Sequence, residues 1–575
     1  MTTQTTLERI QLWLDGPYDE KTKETIRELQ NTDPKALSDA FFKDLSFGTG
    51  GLRAKMGLGT NRLNLYTIRL ATQGLANYLN KQPLDKRSVF IGYDVRRHSA
   101  EFALEAARVL AGNQIRAMLT EDICPTPLVS FGCRYFECQA AIMITASHNP
   151  PEYNGYKVYW SDGGQIVAPH DQGIIEEVKK IQNFFQVLIA PEDSPLIERI
   201  GGSLDEAYLE KLSSHRLYPH LPSLDIIYTP LHGTGIRILP QALQSWGFSC
   251  SLVDKQKTPD GQFPHVKTPN PEEPQALELG AEMMIEREAD LLLGTDPDAD
   301  RVGAAVLHQG APVYLTGNQI ACLCLEHLCE ALVKQNALPK ESACIKTIVT
   351  TELFRKIAES YKTSCFDVLT GFKYIAAEIE KWQRSQAPYH YLFGGEESFG
   401  YLFGTFVRDK DAISSSCLIA EAAASAKQHG MTLVDKLYQL YLRYGVHRES
   451  LTNISLPDNQ EGLNKIQHLM DSLRTNPPSE INGQPLIQID DYLSSQSKYL
   501  PTNTLTPIPL PSSNVLRFWL QDNSKLVIRP SGTEPKMKIY AEVFEHSPDI
   551  HKTVQSCDAR LHDLVQNFQK LHLAN

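Results

Sequence analysis

The sequence has no excess of basic residues, no paired cysteine motif and no apolar stretch approaching the roughly 20 residues that span a bilayer. Lysine and arginine number 56 against 68 aspartates and glutamates, a formal charge of −12. That balance speaks against a nucleic-acid surface, which needs clustered cations to neutralise phosphates. It leaves room for a few local cations around a small phosphorylated ligand. The 11 cysteines are scattered without a C-x-x-C pair or zinc-like spacing, and an odd, unclustered set reads as core thiols in a reducing compartment. The first eight residues lack a basic region followed by an apolar one, so no secretory signal is expected. These absences predict a cytoplasmic protein with neither a membrane nor a nucleic-acid partner.

With 42% hydrophobic and 22% charged residues the composition is that of an ordinary soluble protein, and 575 residues exceed what one core can hold. The first forty residues read as polar, amphipathic helix. After them, short apolar runs such as Ser88-Val89-Phe90-Ile91-Gly92, Asp225-Ile226-Ile227-Tyr228-Thr229 and Asp290-Leu291-Leu292-Leu293-Gly294 alternate with helical patterns. That alternation predicts α/β layers with largely parallel sheets. Ser99 is a candidate N-cap for the helix after the first of these runs. Beyond about residue 451 the chain is richer in Pro, Asn and Ser, which predicts a separate C-terminal α+β domain.

Four strings carry chemistry. Ala140-Ala141-Ile142-Met143-Ile144 reads as a buried strand, and Thr145-Ala146-Ser147-His148-Asn149-Pro150 closes it. A serine presented at a strand tip, without a G-x-S-x-G elbow, suits a hydroxyl that carries a phosphoryl group, although a helix cap is the plain alternative. Asp296-Pro297-Asp298-Ala299-Asp300-Arg301 closes a second apolar run. Read as extended backbone, it places three carboxylates on one side, where hard oxygen ligands suit Mg²⁺; the alternative is a solvated acidic turn. Gly394-Gly395-Glu396-Glu397-Ser398-Phe399-Gly400 offers acceptors and a donor for vicinal sugar hydroxyls. Arg529-Pro530-Ser531-Gly532-Thr533-Glu534-Pro535-Lys536 offers a guanidinium, two hydroxyls and backbone N–H groups as a phosphate cradle. The segments around Gly50-Gly51-Leu52-Arg53 and Thr370-Gly371-Phe372-Lys373 add cations.

In this order the four strings resemble the α-D-phosphohexomutase superfamily, on the longer branch that holds phosphoglucomutases and phosphopentomutases. Asn154-Gly155-Tyr156-Lys157-Val158-Tyr159-Trp160 strengthens the likeness, which runs from about Phe47 to about Tyr540. The resemblance implies an α/β protein of four-domain, phosphohexomutase-like architecture, with three similar α/β domains plus a C-terminal α+β domain around a central cleft. Their expected extents are 1–212, 213–315, 316–447 and 448–575. It implies that Ser147 is the phosphoserine, with Asp296, Asp298 and Asp300 holding one Mg²⁺ beside the Ser147 phosphate. Arg53, His148, Lys157 and Arg301 would line the transfer site, and Lys373 would serve in acid–base work. Gly395, Glu396 and Ser398 would hold the sugar, and Arg529, Ser531, Gly532 and Thr533 the phosphate that is not reacting.

The implied activity interconverts glucose 1-phosphate and glucose 6-phosphate through glucose 1,6-bisphosphate. Pentose or mannose phosphates are the alternatives on the same scaffold. A phosphoserine-type phosphohydrolase and an inactive scaffold are the remaining readings. Small-molecule sugar phosphates are the expected partners, and the chain would act as a monomer or homodimer.

Overall fold

A computed structural model describes residues 3–45, 51–83, 87–181, 184–457, 460–531 and 536–573. The chain forms two compact units, one of Met1–Ile320, Glu330–Ala343 and Gly371–Thr432, the other of Ala321–Cys329, Cys344–Thr370 and Leu433–Asn575. Among the described residues, no helix is long and apolar enough to cross a membrane.

The first unit opens with three helices, α1 (Thr3–Asp15), α2 (Glu20–Thr32) and α3 (Pro34–Phe41). Asp19 and Asp33 cap α2 and α3 by accepting backbone N–H bonds. The helices bury Ile10, Trp13, Ile26, Leu37 and Phe41 together. They are more than the polar extension their composition predicts, because these five apolar side chains, drawn from all three helices, share one small core.

Next come β1 (Gly51–Lys55), α4 (Leu65–Asn80), β2 (Ser88–Tyr93), α5 (Ser99–Gly112), β3 (Arg116–Thr120), α6 (Thr126–Tyr135), β4 (Ala140–Ile144), β5 (Tyr153–Trp160), α7 (His170–Lys179) and β6 (Ile197–Ile200). Their sheet runs β1-β5-β4-β2-β3-β6. β2 pairs in parallel with β3 and β4, while β5 lies antiparallel between β4 and β1. All five residues of β4 are buried, as expected for a central strand covered on both faces. Ser147 therefore leaves the sheet from its interior rather than from an edge.

A second sheet follows α8 (Ser203–Ser213), built from β7 (Ile226–Thr229), α9 (Leu239–Ser245), β8 (Cys250–Leu252), α10 (Glu278–Arg287), β9 (Leu291–Thr295), β10 (Val302–His308) and β11 (Ala311–Leu315). Its order is β11-β10-β9-β7-β8. β9 and β10 are antiparallel, with Thr295 opposite Val302, so the six residues from Asp296 to Arg301 form the loop of a hairpin. The unit also holds the antiparallel strands His390–Gly395 and Tyr401–Phe403 and the buried helix Ala412–Lys427.

The second unit contains an antiparallel sheet. Strand Val446–Ser455 pairs with Lys536–Glu545, that with Lys525–Pro530, and that with Leu516–Leu520, which in turn pairs with Gln484–Asp491. The helix Ile550–Leu573 lies against its first two strands. Antiparallel strands with flanking helices match the α+β expectation for the C-terminal part. Within this unit Glu449 and Glu542 stand directly opposite each other in register, and Lys525 stands opposite Glu542 on the other side. Lys525, at 2.8 Å from Glu542, favours the ionised Glu542. Burial and the Glu542 charge push Glu449 up to about 7.

Two stability outcomes are expected. Ile142→Ala in β4 opens a cavity in a fully buried site and should cost about 2–5 kcal/mol, read as a lowered urea midpoint, whereas Leu7→Ala, at an exposed side chain of α1, should leave that midpoint unchanged. Glu449 holds its proton more tightly folded (about 7) than at its ordinary 4.5, so stability falls as pH rises from about 4.5 to about 7 and is flat above. Glu449→Gln should remove that fall; an unchanged pH profile of the melting temperature would place the titration elsewhere.

Candidate active site

The serine loop begins where β4 ends. Ser147 has a left-handed backbone, φ 52°, a conformation that costs energy for any residue other than glycine. Several bonds hold it there. Ser147 N donates to Thr145 Oγ1 at 2.8 Å, and Thr145 N donates to the Gly155 carbonyl on β5 at 3.1 Å. Arg96 is fully buried and forks over the loop, donating to the carbonyls of Ser147 at 2.6 Å, Pro150 at 2.8 Å and Tyr153 at 3.0 Å, and to that of Asn149. Asp94 orients this guanidinium from 3.3 Å, and the Phe263 ring faces it at 5.1 Å.

Ser99 does not cap α5. Its hydroxyl donates to Asp94 Oδ1 at 2.7 Å and accepts from Asn154 at 2.9 Å, while the cap position is His98. The buried Asp94 carboxylate outcompetes the helix amides for that hydroxyl.

The carboxylates of Asp296, Asp298 and Asp300 offer oxygens within 4.8 Å of one another, all buried. They converge by a turn and not by extended backbone. Ala299 is left-handed, φ 52°, and Asp296 Oδ1 accepts the N–H groups of Asp300 at 3.1 Å and Arg301 at 3.0 Å. Asparagine and aspartate side chains commonly close turns this way. The loop is braced from behind by Thr234, whose N–H donates to the Pro297 carbonyl at 2.8 Å. Gly233 is required there, since a Cβ would meet Pro297 Cα at 2.5 Å.

Ser147 Oγ donates to Asp296 Oδ2 at 2.7 Å and lies 3.2 Å from His148 Nδ1. Lys157, on β5, donates to Asp298 at 2.8 Å and Asp300 at 3.1 Å, and Lys410 lies 3.2 Å from Asp300. Thr126, at the start of α6, donates to Asp298 at 2.8 Å. Asp298 Oδ1 and Asp300 Oδ1 are buried and have no hydrogen-bond partner. Two bare carboxylate oxygens beside a third carboxylate fit a hard divalent cation such as Mg²⁺, so the donor set passes as a metal site.

Electrostatics follow from burial and pairing. Burial and the two neighbouring carboxylates push Asp296 well above the carboxylate range. Burial would raise Asp300 too, but Lys157, Lys410 and Arg301 outweigh it and hold it low. Burial would lower Lys157 and Lys410, yet their aspartate partners keep both above the ordinary lysine value. Burial, then Arg301 and Arg53, lower His148, which leaves the imidazole neutral at pH 7. Burial lowers Lys373.

The remaining expected residues of the first unit fall around this core. Arg53, on β1, sits opposite Gly155 and donates to Asn149 Oδ1 at 3.4 Å. Arg301 is paired with Glu272 and bridges to Gly400 of the glycine-rich loop. A Cβ at Gly400 would meet Lys410 Cδ at 2.1 Å, so the glycine lets that lysine pass. Glu396 is buried, pushed up by that burial, and accepts the Gly371 N–H at 2.9 Å. That bond ties the start of the helix Phe372–Ser385, which carries Lys373, to the loop. Gly395 ends the strand His390–Gly395, and Ser398 is half-buried in the turn after it.

Arg529 and Ser531 belong to the second unit, where Ser531 N donates to the Lys536 carbonyl at 2.7 Å. Gly532 and Thr533 lie outside the described residues. Sequence reasoning missed the Asp94–Arg96 clamp, Lys410, Thr126 and Glu272. Two strings held a signal, Asp94-Val95-Arg96-Arg97 just past β2 and Arg408-Asp409-Lys410-Asp411 before an apolar helix.

Comparison with known proteins gives a consistent result. Three profiles described as phosphoglucomutase/phosphomannomutase alpha/beta/alpha domains I, II and III match residues 44–184, 206–310 and 316–441. A phosphoglucomutase of Staphylococcus aureus (strain MSSA476) is 38% identical over 537 residues, covering 93% of this chain and 95% of that protein. The phosphoglucomutase of strain USA300 is 37% identical, covering 96% and 98%. Among solved structures, a putative phosphomannomutase from Thermus thermophilus superposes with a TM-score of 0.65 at 21% identity, covering 92% of this chain and 99% of that one. The Paramecium phosphoglucomutase pp63/parafusin gives 0.67 at 19% identity, covering 92% and 94%. At these identities the two structures speak to the fold.

Replacing Asp298 by Asn removes a charge while keeping the shape. Direct Mn²⁺ titration followed by electron paramagnetic resonance should then show at least about tenfold weaker binding, and equal affinity would move the cation off this cluster. Arg96→Leu leaves Asp94 buried without its partner and should cost about 3–5 kcal/mol, read as a lowered melting temperature.

Proposed function

The chain belongs to the phosphoglucomutase/phosphomannomutase family, and from that premise we propose how its own residues carry the mutase reaction. It is a phosphoglucomutase-type enzyme, an isomerase that works by phosphoryl transfer. The substrate pair we assign is glucose 1-phosphate and glucose 6-phosphate, with glucose 1,6-bisphosphate as the exchanging intermediate. The observation that carries the reading is the 2.7 Å bond from Ser147 Oγ to one of three clustered carboxylates, two of which keep a bare buried oxygen.

In this reading phosphorylated Ser147 gives its phosphoryl to the free hydroxyl of the hexose monophosphate. The P–O bond to Ser147 Oγ breaks, one to the sugar oxygen forms, and the hydroxyl proton leaves to a base. The bisphosphate turns over and returns its other phosphoryl to Ser147 by the same step reversed. A magnesium ion held by Asp296, Asp298 and Asp300 would supply positive charge at the phosphoryl oxygens. Arg53, Arg301 and Lys157 add fixed cations, and neutral His148 can hold Ser147 Oγ in position. Lys157 and Lys410 are both kept protonated by aspartates, so neither is a ready base. Lys373, lowered by burial, is the better acceptor of the hydroxyl proton.

Glu396 and Ser398 would bind vicinal sugar hydroxyls, and Arg529 and Ser531, with Gly532 and Thr533, the distal phosphate. We read the chain as four domains over 1–212, 213–315, 316–447 and 448–575, acting in the cytoplasm, where its eleven free cysteines stay reduced.

The test mixes the protein with glucose 1-phosphate, Mg²⁺ and a trace of glucose 1,6-bisphosphate, and follows glucose 6-phosphate. Rapid formation without inorganic phosphate is expected, with ribose 1-phosphate and mannose 1-phosphate at least about tenfold slower, about 1.4 kcal/mol. Faster ribose 1-phosphate turnover would reassign the substrate. Ser147→Ala should lower turnover at least about 10³-fold while the melting temperature holds; residual activity near wild type would remove the phosphoserine from the mechanism.

A further inference from the structure

A cavity of about 860 Å³ opens between the N-terminal helices and the first sheet's helices, with Trp13, Tyr18, Lys21, Tyr66, Arg69 and Arg97 in its lining. None of these residues takes part in the transfer site. One wall is aromatic: Trp13 stacks on Tyr18 at 4.3 Å between ring centres, and Tyr66 meets the two edge-on at 5.3 and 4.7 Å.

The charge of the cavity is uneven. Its two acids are engaged locally, Asp19 by the Tyr66 hydroxyl and by Thr22, and Glu101 by His98 at 2.7 Å. Arg69 is matched by Glu105, with its guanidinium 5.7 Å from the Tyr66 ring centre. Lys21 and Arg97 are exposed, and among the described residues neither side chain has an acidic partner. The cavity thus joins an aromatic wall to two cations that stand outside any ion pair among the described residues, at a volume usual for a small-ligand site.

We propose that this cavity is a second ligand site for a small phosphate ester that carries a ring, with the ring against the aromatic wall and the phosphate between Lys21 and Arg97. Aromatic side chains pack against ring faces and edges, and paired cations favour a phosphate through charge-assisted hydrogen bonds. Sugar phosphates and nucleotides share this chemistry. Arg97 immediately follows Arg96, so an occupant held by Arg97 is one residue from the clamp on the Ser147 loop. The inference is independent of the reaction assigned to Ser147.

The experiment is titration calorimetry on the full chain carrying Ser147→Ala, which blocks phosphoryl transfer, with glucose 6-phosphate and adenosine monophosphate as separate probes. At least one probe should show a binding step that Lys21→Ala/Arg97→Ala weakens at least about tenfold and Lys21→Arg/Arg97→Lys keeps. An unchanged melting temperature in the alanine pair excludes a folding defect. Such a step with adenosine monophosphate identifies a nucleotide site; a second, substitution-sensitive step with glucose 6-phosphate identifies a sugar-phosphate site. If neither probe shows a step sensitive to the alanine pair, the proposal is wrong. Failure of the transfer-site reading alone would instead remove the insensitive glucose 6-phosphate step and leave the sensitive one.

Discussion

Three buried carboxylates held within 4.8 Å of one another are the constraint around which the first unit is organised. Burying one unpaired carboxylate costs several kcal/mol, and like charges at this range add to that. The protein meets the cost with two buried lysines drawn from distant parts of the sequence, Lys157 on β5 and Lys410 before the helix Ala412–Lys427. Two lysines against three carboxylates leave one negative charge, which Arg301, 3.8 Å from Asp300 but also paired with Glu272, meets only in part. Asp296 is the carboxylate that burial and its neighbours push toward holding a proton. A divalent cation replacing that proton would leave the cluster with one excess positive charge, suited to a dianionic phosphoryl group.

The same cluster explains why the loops of the unit are cross-linked rather than independent. The carboxylate turn is braced by Thr234, touches α6 through Thr126, and meets the glycine-rich loop where Val302 N donates to the Phe399 carbonyl at 3.1 Å. The serine loop has its own brace in Arg96, whose fork compensates the cost of a left-handed serine. A displacement of about 1 Å in either loop would break the Ser147–Asp296 bond, so the site needs rigid supports behind both.

How much of this could be read from the sequence depended on distance along the chain. The serine, carboxylate and glycine-rich strings are local, and each sits where its strand ends, so their place in an α/β fold was legible. The convergence of Asp296, Asp298 and Asp300 was legible, but its cause was not. The alternating spacing suggested extended backbone, whereas the turn comes from Asp296 accepting two downstream N–H groups. Arg96, Lys410 and Glu272 escaped because their partners lie at Ser147, Asp300 and Arg301, with no periodic pattern linking them. Ser99 looked like a cap because caps are local, and a buried aspartate five residues earlier claimed its hydroxyl instead.

Pairing also decides which lysine can move a proton. A base must lose its charge readily near pH 7, and Lys157 is bound by two aspartates while Lys410 faces Asp300 and Asp409. Neutralising either would return uncompensated negative charge to the cluster, so these two lysines serve the carboxylates before they can serve the sugar. Lys373 stands outside the carboxylate cluster: burial lowers it against the pull of the Asp171 charge, and its helix is tied to the glycine-rich loop through Gly371 and Glu396. Holding the carboxylates ionised and moving the substrate proton make opposite demands on a lysine, and that conflict is the physical reason to assign them to different side chains.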